Sequence, residues 1–261
     1  MDASSTTTSG HRPIDPESLT AAEAQAGFAA GEIHQIREHY PVGQVLKAVP
    51  INAGSPEAPK IILLGSRSGP VVLKRLAPGR DGPEFVHVIH SIHRRLAAHG
   101  FPMAPLVPTR GGASALRHEG KAYEMCGYIK GSKCDRSPEQ TRLAGEALGR
   151  YHALLANAHD HLGAMGRSIG EPLTGEYHDD LRIRRSLARL PQTLDAPGGD
   201  DLAARLGTLY EKASARARDA LQDVEFQIVH GDWHPGNLLY NDGVVAAVLD
   251  HEAAGMAPTM L

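Results

Sequence analysis

Apolar and polar positions alternate along the 261-residue chain with two different periods, and the changes between them lay out the elements. Residues 16–38 read as helix, with Ser18 as a cap and favourable helix formers through 21–30. Three strand-like runs follow at 43–49, 60–64 and 71–76, with residues 65–70 as the turn before the last, which predicts a small antiparallel sheet. Helical spacing returns over 82–99, where Phe85, Ile89, Ile92 and Leu96 share a face, and Gly100-Phe101-Pro102 stops it. Runs at 104–107 and, after a Gly-rich turn, 120–129 supply the last strands of that sheet.

The second half is mainly helical in pattern. Ser137-Pro138-Glu139-Gln140 combines a cap, a proline at the first helical position and a capping-box glutamine. Leu143, Ala147, Leu148, Tyr151 and Leu154 then mark a buried side to about residue 156. Residues 160–199 are rich in Gly, Arg, Asp and Pro, with a short helical run at 179–189, and 202–221 form a second long amphipathic segment. Apolar runs at 226–229, 238–240 and 244–249 close the pattern, the last two joined by Asn241-Asp242-Gly243, a hairpin signal. Residues 1–15 are Ser/Thr/Asp-rich without periodicity and read as a disordered leader.

Composition narrows the classes. A chain of 27.9 kDa can bury a sizeable core in one large or two small domains. A net charge of -3 with dispersed arginines argues against a nucleic-acid footprint. No apolar stretch approaches a membrane span, and the polar start is not a signal peptide, so a soluble cytoplasmic protein is expected. Cys126 and Cys134 are too few for a disulfide scaffold, and with 5% aromatics the core is built from Leu, Val, Ile and Ala.

The chemistry concentrates in residues 226–255. A strand leads into a polar loop carrying His230, Asp232, His234 and Asn237, and the hairpin beyond it delivers Asp250, followed by His251 and Glu252. A hairpin fixes both of its ends in register, so Asp232, Asn237 and Asp250 can converge. Two carboxylates and an amide suit a hard cation such as magnesium, a constellation for phosphoryl transfer. The letters also permit an H-x-D-x-H metal site, with Asp250 or His251 completing a hydrolase centre. Such a site would want further histidines at strand ends, whereas most of the others lie in helical segments or the leader.

His230-Gly231-Asp232-Trp233-His234-Pro235-Gly236-Asn237, with an aspartate at the end of the following strand, closely resembles the aminoglycoside phosphotransferase and choline kinase-like superfamily. That resemblance implies an α+β, two-lobed protein kinase-like fold: a small antiparallel-sheet lobe over residues 16–126 and a mainly helical catalytic lobe over 127–261. It implies ATP and Mg2+ as cofactors and the hydroxyl of a small molecule as acceptor. Asp232 would be the base, with His230 beside it in the loop, and Asn237 and Asp250, 5 and 18 residues beyond Asp232, the metal ligands.

The same resemblance assigns residues to the nucleotide. Lys74, on a mostly buried strand, matches the phosphate-binding lysine, and Arg75 is the solvent-facing spare. Gly54 and the Ser55 amide would approach phosphates, although Pro56 and Pro59 remove donors from that loop and Glu57 adds negative charge. The carboxylate expected to pair with Lys74 from the next helix is missing from mid-helix, where Ile89-His90 stand, which leaves Glu84 in the first turn. His87, His90 and His93 share one side of that helix and read as packing or solvated positions rather than a metal stripe. Met125, Cys126 and Gly127 match the inter-lobe hinge that would meet adenine, and His152 matches a histidine supporting the catalytic loop. His178, Asp179 and Asp180 fall where acceptors are recognised, and an aminoglycoside, choline, homoserine or sugar-like acceptor all remain open.

The resemblance spans roughly residues 40–255, and the chain stops 11 residues after Asp250, where relatives continue through several helices. The catalytic lobe is therefore expected to be incomplete, with a homodimer covering its open face. A catalytically inactive nucleotide-binding or structural remnant is the alternative function.

Overall fold

The computed structural model describes residues 13–156, 158, 180–194, 198–221, 224 and 226–258. The chain divides into two compact units, residues 1–145 with 234–252, and residues 146–233 with 253–261.

The first unit is built on a five-stranded antiparallel sheet of order β1-β2-β3-β5-β4. Its strands are β1 (Val45–Ile51), β2 (Lys60–Gly65), β3 (Pro70–Arg75), β4 (Leu116–His118) and β5 (Lys121–Gly127). Two short helices, α1 (Pro16–Ala26) and α2 (Glu32–Glu38), precede it, and α3 (Pro83–Ala98) joins β3 to β4. The expected helix over 16–38 is broken because Gly27 (φ 93°) and Gly31 (φ 77°) take left-handed conformations that end one helix and start the next. Asp15, rather than Ser18, caps α1 by accepting the Ser18 amide at 2.8 Å. Ile14 donates to the Val45 carbonyl, so residues 13–15 are docked rather than part of a leader, and residues 1–12 lie outside the described ones.

The core forms where β2, β3 and β5 bury alternate residues against α2. Ile33, Ile36, Ile61, Leu63, Leu73, Tyr123 and Met125 are all buried there. Each large aliphatic side chain so buried contributes about 2 kcal/mol. Arg75 belongs to this packing, a correction to its expected solvent-facing role. Its guanidinium pairs with buried Glu32 at 3.0 Å and stacks over Phe28. Glu32 also accepts from the Tyr123 hydroxyl at 2.6 Å, so the pair is fully bonded and tolerable at that depth.

A second, three-stranded sheet of order β6-β8-β9 completes this unit, from β6 (Ser132–Lys133), β8 (Leu238–Asn241) and β9 (Val244–Val248). The expected hairpin is present: Asp242 (φ 48°) and Gly243 (φ 76°) make a two-residue turn with both φ positive, as a type I′ turn requires. Residues 104–107 are not a strand. Isolated bridges at Met103–Val248 and Leu106–Cys126 and a few backbone hydrogen bonds to β5 tie that segment to its neighbours.

α4 (Pro138–Leu155) runs from the first unit into the second, which also holds α5 (Asp180–Leu194), α6 (Gly199–Leu221) and the antiparallel pair β7 (Phe226–Val229) and β10 (Gly255–Pro258). The architecture is α+β and protein kinase-like, with a small antiparallel sheet in the amino-terminal part and mainly helical structure in the carboxy-terminal part. No helix among the described residues is long and apolar enough to cross a membrane.

Candidate active site

Lys74 sits one residue before the end of β3, and its side chain is 7% exposed. Its ammonium donates to Asp250 Oδ1 at 3.2 Å and to Glu252 Oε1 in a shorter contact. Burial opposes its charge, but Glu124, Glu252 and Asp250 outweigh that and push its pKa above the ordinary lysine range. Lys60, the cross-strand partner of Lys74 on β2, reaches the same carboxylate, with Nζ 2.8 Å from both Oδ1 and Oδ2 of Asp250. Burial alone would raise the Asp250 carboxyl, yet Lys74 and Lys60 prevail and hold it at about 2.

Asp250 is presented by the hairpin and by its own backbone. It follows β9 with φ 57°, a left-handed conformation that costs energy in a residue with a Cβ and recurs at functional sites. Asn237 lies at the start of the same hairpin, ending a short 3-10 turn (Pro235–Asn237), and is buried. Leu238 pairs with Val248, and the Leu249 amide donates to the Asn237 carbonyl at 2.9 Å, so Asn237 and Asp250 are brought to adjoining strand ends. His251 points away from this chemistry. Buried, it donates from Nε2 toward the Val248 carbonyl and packs edge-on against His93, which argues against the hydrolase reading.

The expected carboxylate partner of Lys74 is not Glu84, which is exposed on the first turn of α3, whereas the ammonium bonds Asp250 and Glu252. Glu124, in register with Lys74 on β5, adds a third negative charge nearby without an ion pair to it. His90, from the mid-helix place where the glutamate was expected, holds Glu124: Nε2 lies 2.9 Å from Glu124 Oε2 and Nδ1 2.8 Å from Ser114 Oγ. Burial would raise the Glu124 carboxyl, but His90 and Lys74 keep it low and ionised. His93 is buried against the Ala104 carbonyl and His87 is exposed, so the three-histidine stripe serves packing and orientation.

The loop ahead of β2 places Gly54 at φ 87°, where a Cβ would lie 3.5 Å from Lys60 Nζ. Ser55 is exposed, and its hydroxyl accepts the Glu57 amide at 3.2 Å. At the expected hinge the Met125 carbonyl accepts the Val107 amide at 2.7 Å, and the Gly127 amide donates to Pro105 at 2.8 Å. Cys126 is half-buried in β5 between them, its thiol pushed up by burial and by Glu124.

Asp232 belongs to the second unit, two residues past buried His230, at the exposed end of the β7 segment. Its amide donates to His230 Nδ1 at 3.3 Å, which orders the loop. Tyr151 supports this loop: its ring lies 5.7 Å from His230 and 6.2 Å from Trp233, while His152 contacts Tyr151 itself. Gly231 (φ 76°) is obligatory, because a Cβ there would sit 2.0 Å from the Ala253 carbonyl oxygen. His178 and Asp179 lie outside the described residues.

Sequence reasoning missed Lys60, Glu124 and Glu252. The signal for Glu124 was available: a carboxylate between buried Tyr123 and Met125 needs a cation as much as Lys74 needs an anion.

Solved structures share this fold at low identity. A spectinomycin phosphotransferase in complex with ADP and spectinomycin superposes with a TM-score of 0.63 at 14% identity, over 95% of this chain and 71% of that one. An amicoumacin kinase gives 0.62 at 15% identity, over 91% and 68%. An aminoglycoside phosphotransferase from Alicyclobacillus acidocaldarius gives 0.52 at 16% identity, over 97% and 70%. No curated protein matches the chain. The profile of the phosphotransferase enzyme family matches residues 49–260, a span that holds Lys60, Lys74, Glu124, Asp232, Asn237, Asp250 and Glu252. The chain belongs to the phosphotransferase enzyme family.

Proposed function

We propose that the protein transfers the terminal phosphoryl group of ATP, with magnesium, to a hydroxyl of a small molecule. The observation that carries this reading is the meeting of Lys74 with Asp250 and Glu252 in one partly buried cluster. A lysine fixed by carboxylates is a ready cation for phosphate oxygens.

The donor set suits the metal. Asp250, Glu252 and the Asn237 amide offer hard oxygens, and among the described residues no group of three or more His, Cys, Asp or Glu gathers to cage an ion alone. Magnesium asks for little more, since it keeps waters and takes phosphate oxygens as its remaining ligands. Bound ATP with magnesium would supply the transferable phosphoryl group and neutralise its charge. Lys74 presents its ammonium to the phosphates, aimed by Asp250 and Glu252, and the nearby charge of Glu124, bonded to His90, helps keep it charged. Asp250 and Asn237 hold the metal side. Asp232 takes the acceptor role assigned by the family motif, accepting the proton of the attacking hydroxyl.

The acceptor classes are aminoglycosides, choline-like amino alcohols, homoserine and sugars. A screen of these alcohols with labelled ATP and magnesium tests the proposal. Label should move to at least one acceptor, and Asp232→Asn should abolish transfer while leaving nucleotide bound. No transfer to any of them, from folded protein that binds ATP, would favour the second reading, an inactive nucleotide-binding protein. One observation favours that reading: Pro56 and Pro59 have no amide donor, and the Glu57 and Ala58 amides are already committed to Ser55.

A further inference from the structure

Lys60 is the residue that the phosphate-binding lysine and the metal carboxylate do not require. It opens β2 directly opposite Lys74 in the register, so two cations stand side by side on one face of the sheet. Its ammonium grips both oxygens of Asp250 at 2.8 Å, closer than Lys74 does, and its side chain is only 14% exposed. A bidentate, partly buried ammonium of this kind occupies the carboxylate edge that a divalent cation would need. The second observation is the loop above it: Lys60 Nζ sits beneath Gly54, in the segment where phosphates are expected. That loop is short of amide donors, so a cation underneath it would replace what the prolines remove.

We propose that Lys60 is a tethered counter-ion that holds Asp250 in the nucleotide-free protein and passes to the phosphates of an incoming nucleotide as a divalent ion takes its place. This rests on the ATP and magnesium reading above. Metal alone must displace one ammonium while still facing Lys74, and it gains nothing for the Lys60 charge it frees. Metal arriving with a nucleotide gives that charge a new anionic partner a short side-chain swing away. The two ligands are therefore coupled through Lys60, and coupling of this kind is reciprocal.

The test uses the full chain and two separate titrations, Mn2+ without nucleotide and ADP without divalent ion, in wild type and Lys60→Met. Removing the tethered charge should tighten Mn2+ binding about tenfold and weaken ADP binding about tenfold, the worth of one charged hydrogen-bonded contact in each state. The opposite signs are the signature, since general damage to the fold weakens both. Lys60→Arg, which keeps the charge, should keep Mn2+ binding as weak as in wild type, and circular dichroism confirms folding of each variant. Unchanged affinities, or a parallel loss of both, would overturn the handover and leave Lys60 as a structural ion pair. Should wild type bind ATP with magnesium and lose it on Lys74→Met while Lys60→Met changes neither the Mn2+ nor the ADP titration, this inference falls and the kinase reading stands. Should wild type bind no nucleotide under any condition, both fall.

Discussion

Replacing Lys74 with methionine keeps the apolar stem of the side chain and removes a charge that Asp250 and Glu252 pair with and that Glu124 feels through space. Asp250 is held at about 2 against an ordinary 3.8. At about 1.4 kcal/mol per pH unit, that depression is worth about 2.5 kcal/mol, which Lys74 and Lys60 supply beyond the cost of burial. Loss of Lys74 also leaves Glu252 and Glu124 without the ammonium that faces them. Breaking a fully buried pair costs about 3–5 kcal/mol, and Lys60 still covers Asp250 here, so the variant should lose about 2–3 kcal/mol at neutral pH. The sign with pH follows from Asp250 being depressed in the folded state. Its contribution is present above about pH 4 and is lost as pH falls toward about 2. Urea unfolding followed by circular dichroism at about pH 7 and about pH 3 should therefore show a large difference between the two proteins at the first and a smaller one at the second. A loss under about 0.5 kcal/mol at neutral pH, no more than a surface pair is worth, would refute the reasoning. An equal loss at both pH values would also refute it.

His90→Ala removes the partner of both Glu124 and Ser114 and should cost about 2–3 kcal/mol, whereas His90→Gln, which can still donate to Glu124, should recover about half. Equal losses in thermal melts would show that His90 only fills space. Gly231→Ala puts a methyl 2.0 Å from the Ala253 carbonyl oxygen at φ 76°, so the chain should yield little folded protein or melt about 5–10 °C lower. A melt unchanged from wild type would mean that the loop relaxes freely.

Much of this fold was legible because its elements carry local signals. The 242–243 turn, the α3 stripe and the strands at 60–64 and 71–76 each follow from a few adjacent residues and stand close to where those residues put them, whereas the run at 104–107 is not a strand and β4 lies in the stretch read as a turn. The run over 16–38 reads as one helix by propensity, but Gly27 and Gly31 take left-handed conformations that end one helix and begin another. β10 was invisible in the sequence, since residues 255–258 become a strand only by pairing with β7. Partnerships at the site were harder still. Lys74 announces itself as a lysine on a buried strand, but that its paired carboxylates are Asp250 and Glu252, beyond β9 and not on α3, depends on the tertiary fold. Lys60 reads as an ordinary first residue of a strand, and only the fold brings it to Asp250 across 190 residues of sequence.

The most direct test of the account is a calorimetric titration of the full chain with ATP and magnesium, in wild type, Lys74→Met and Asp250→Asn. If the cluster of Lys74, Asp250 and Glu252 is where nucleotide phosphates and their metal are held, wild type binds and each variant binds at least about tenfold more weakly, the loss of one charge-assisted contact. Wild-type protein that is folded and binds no nucleotide, or binding that ignores both substitutions, would contradict it.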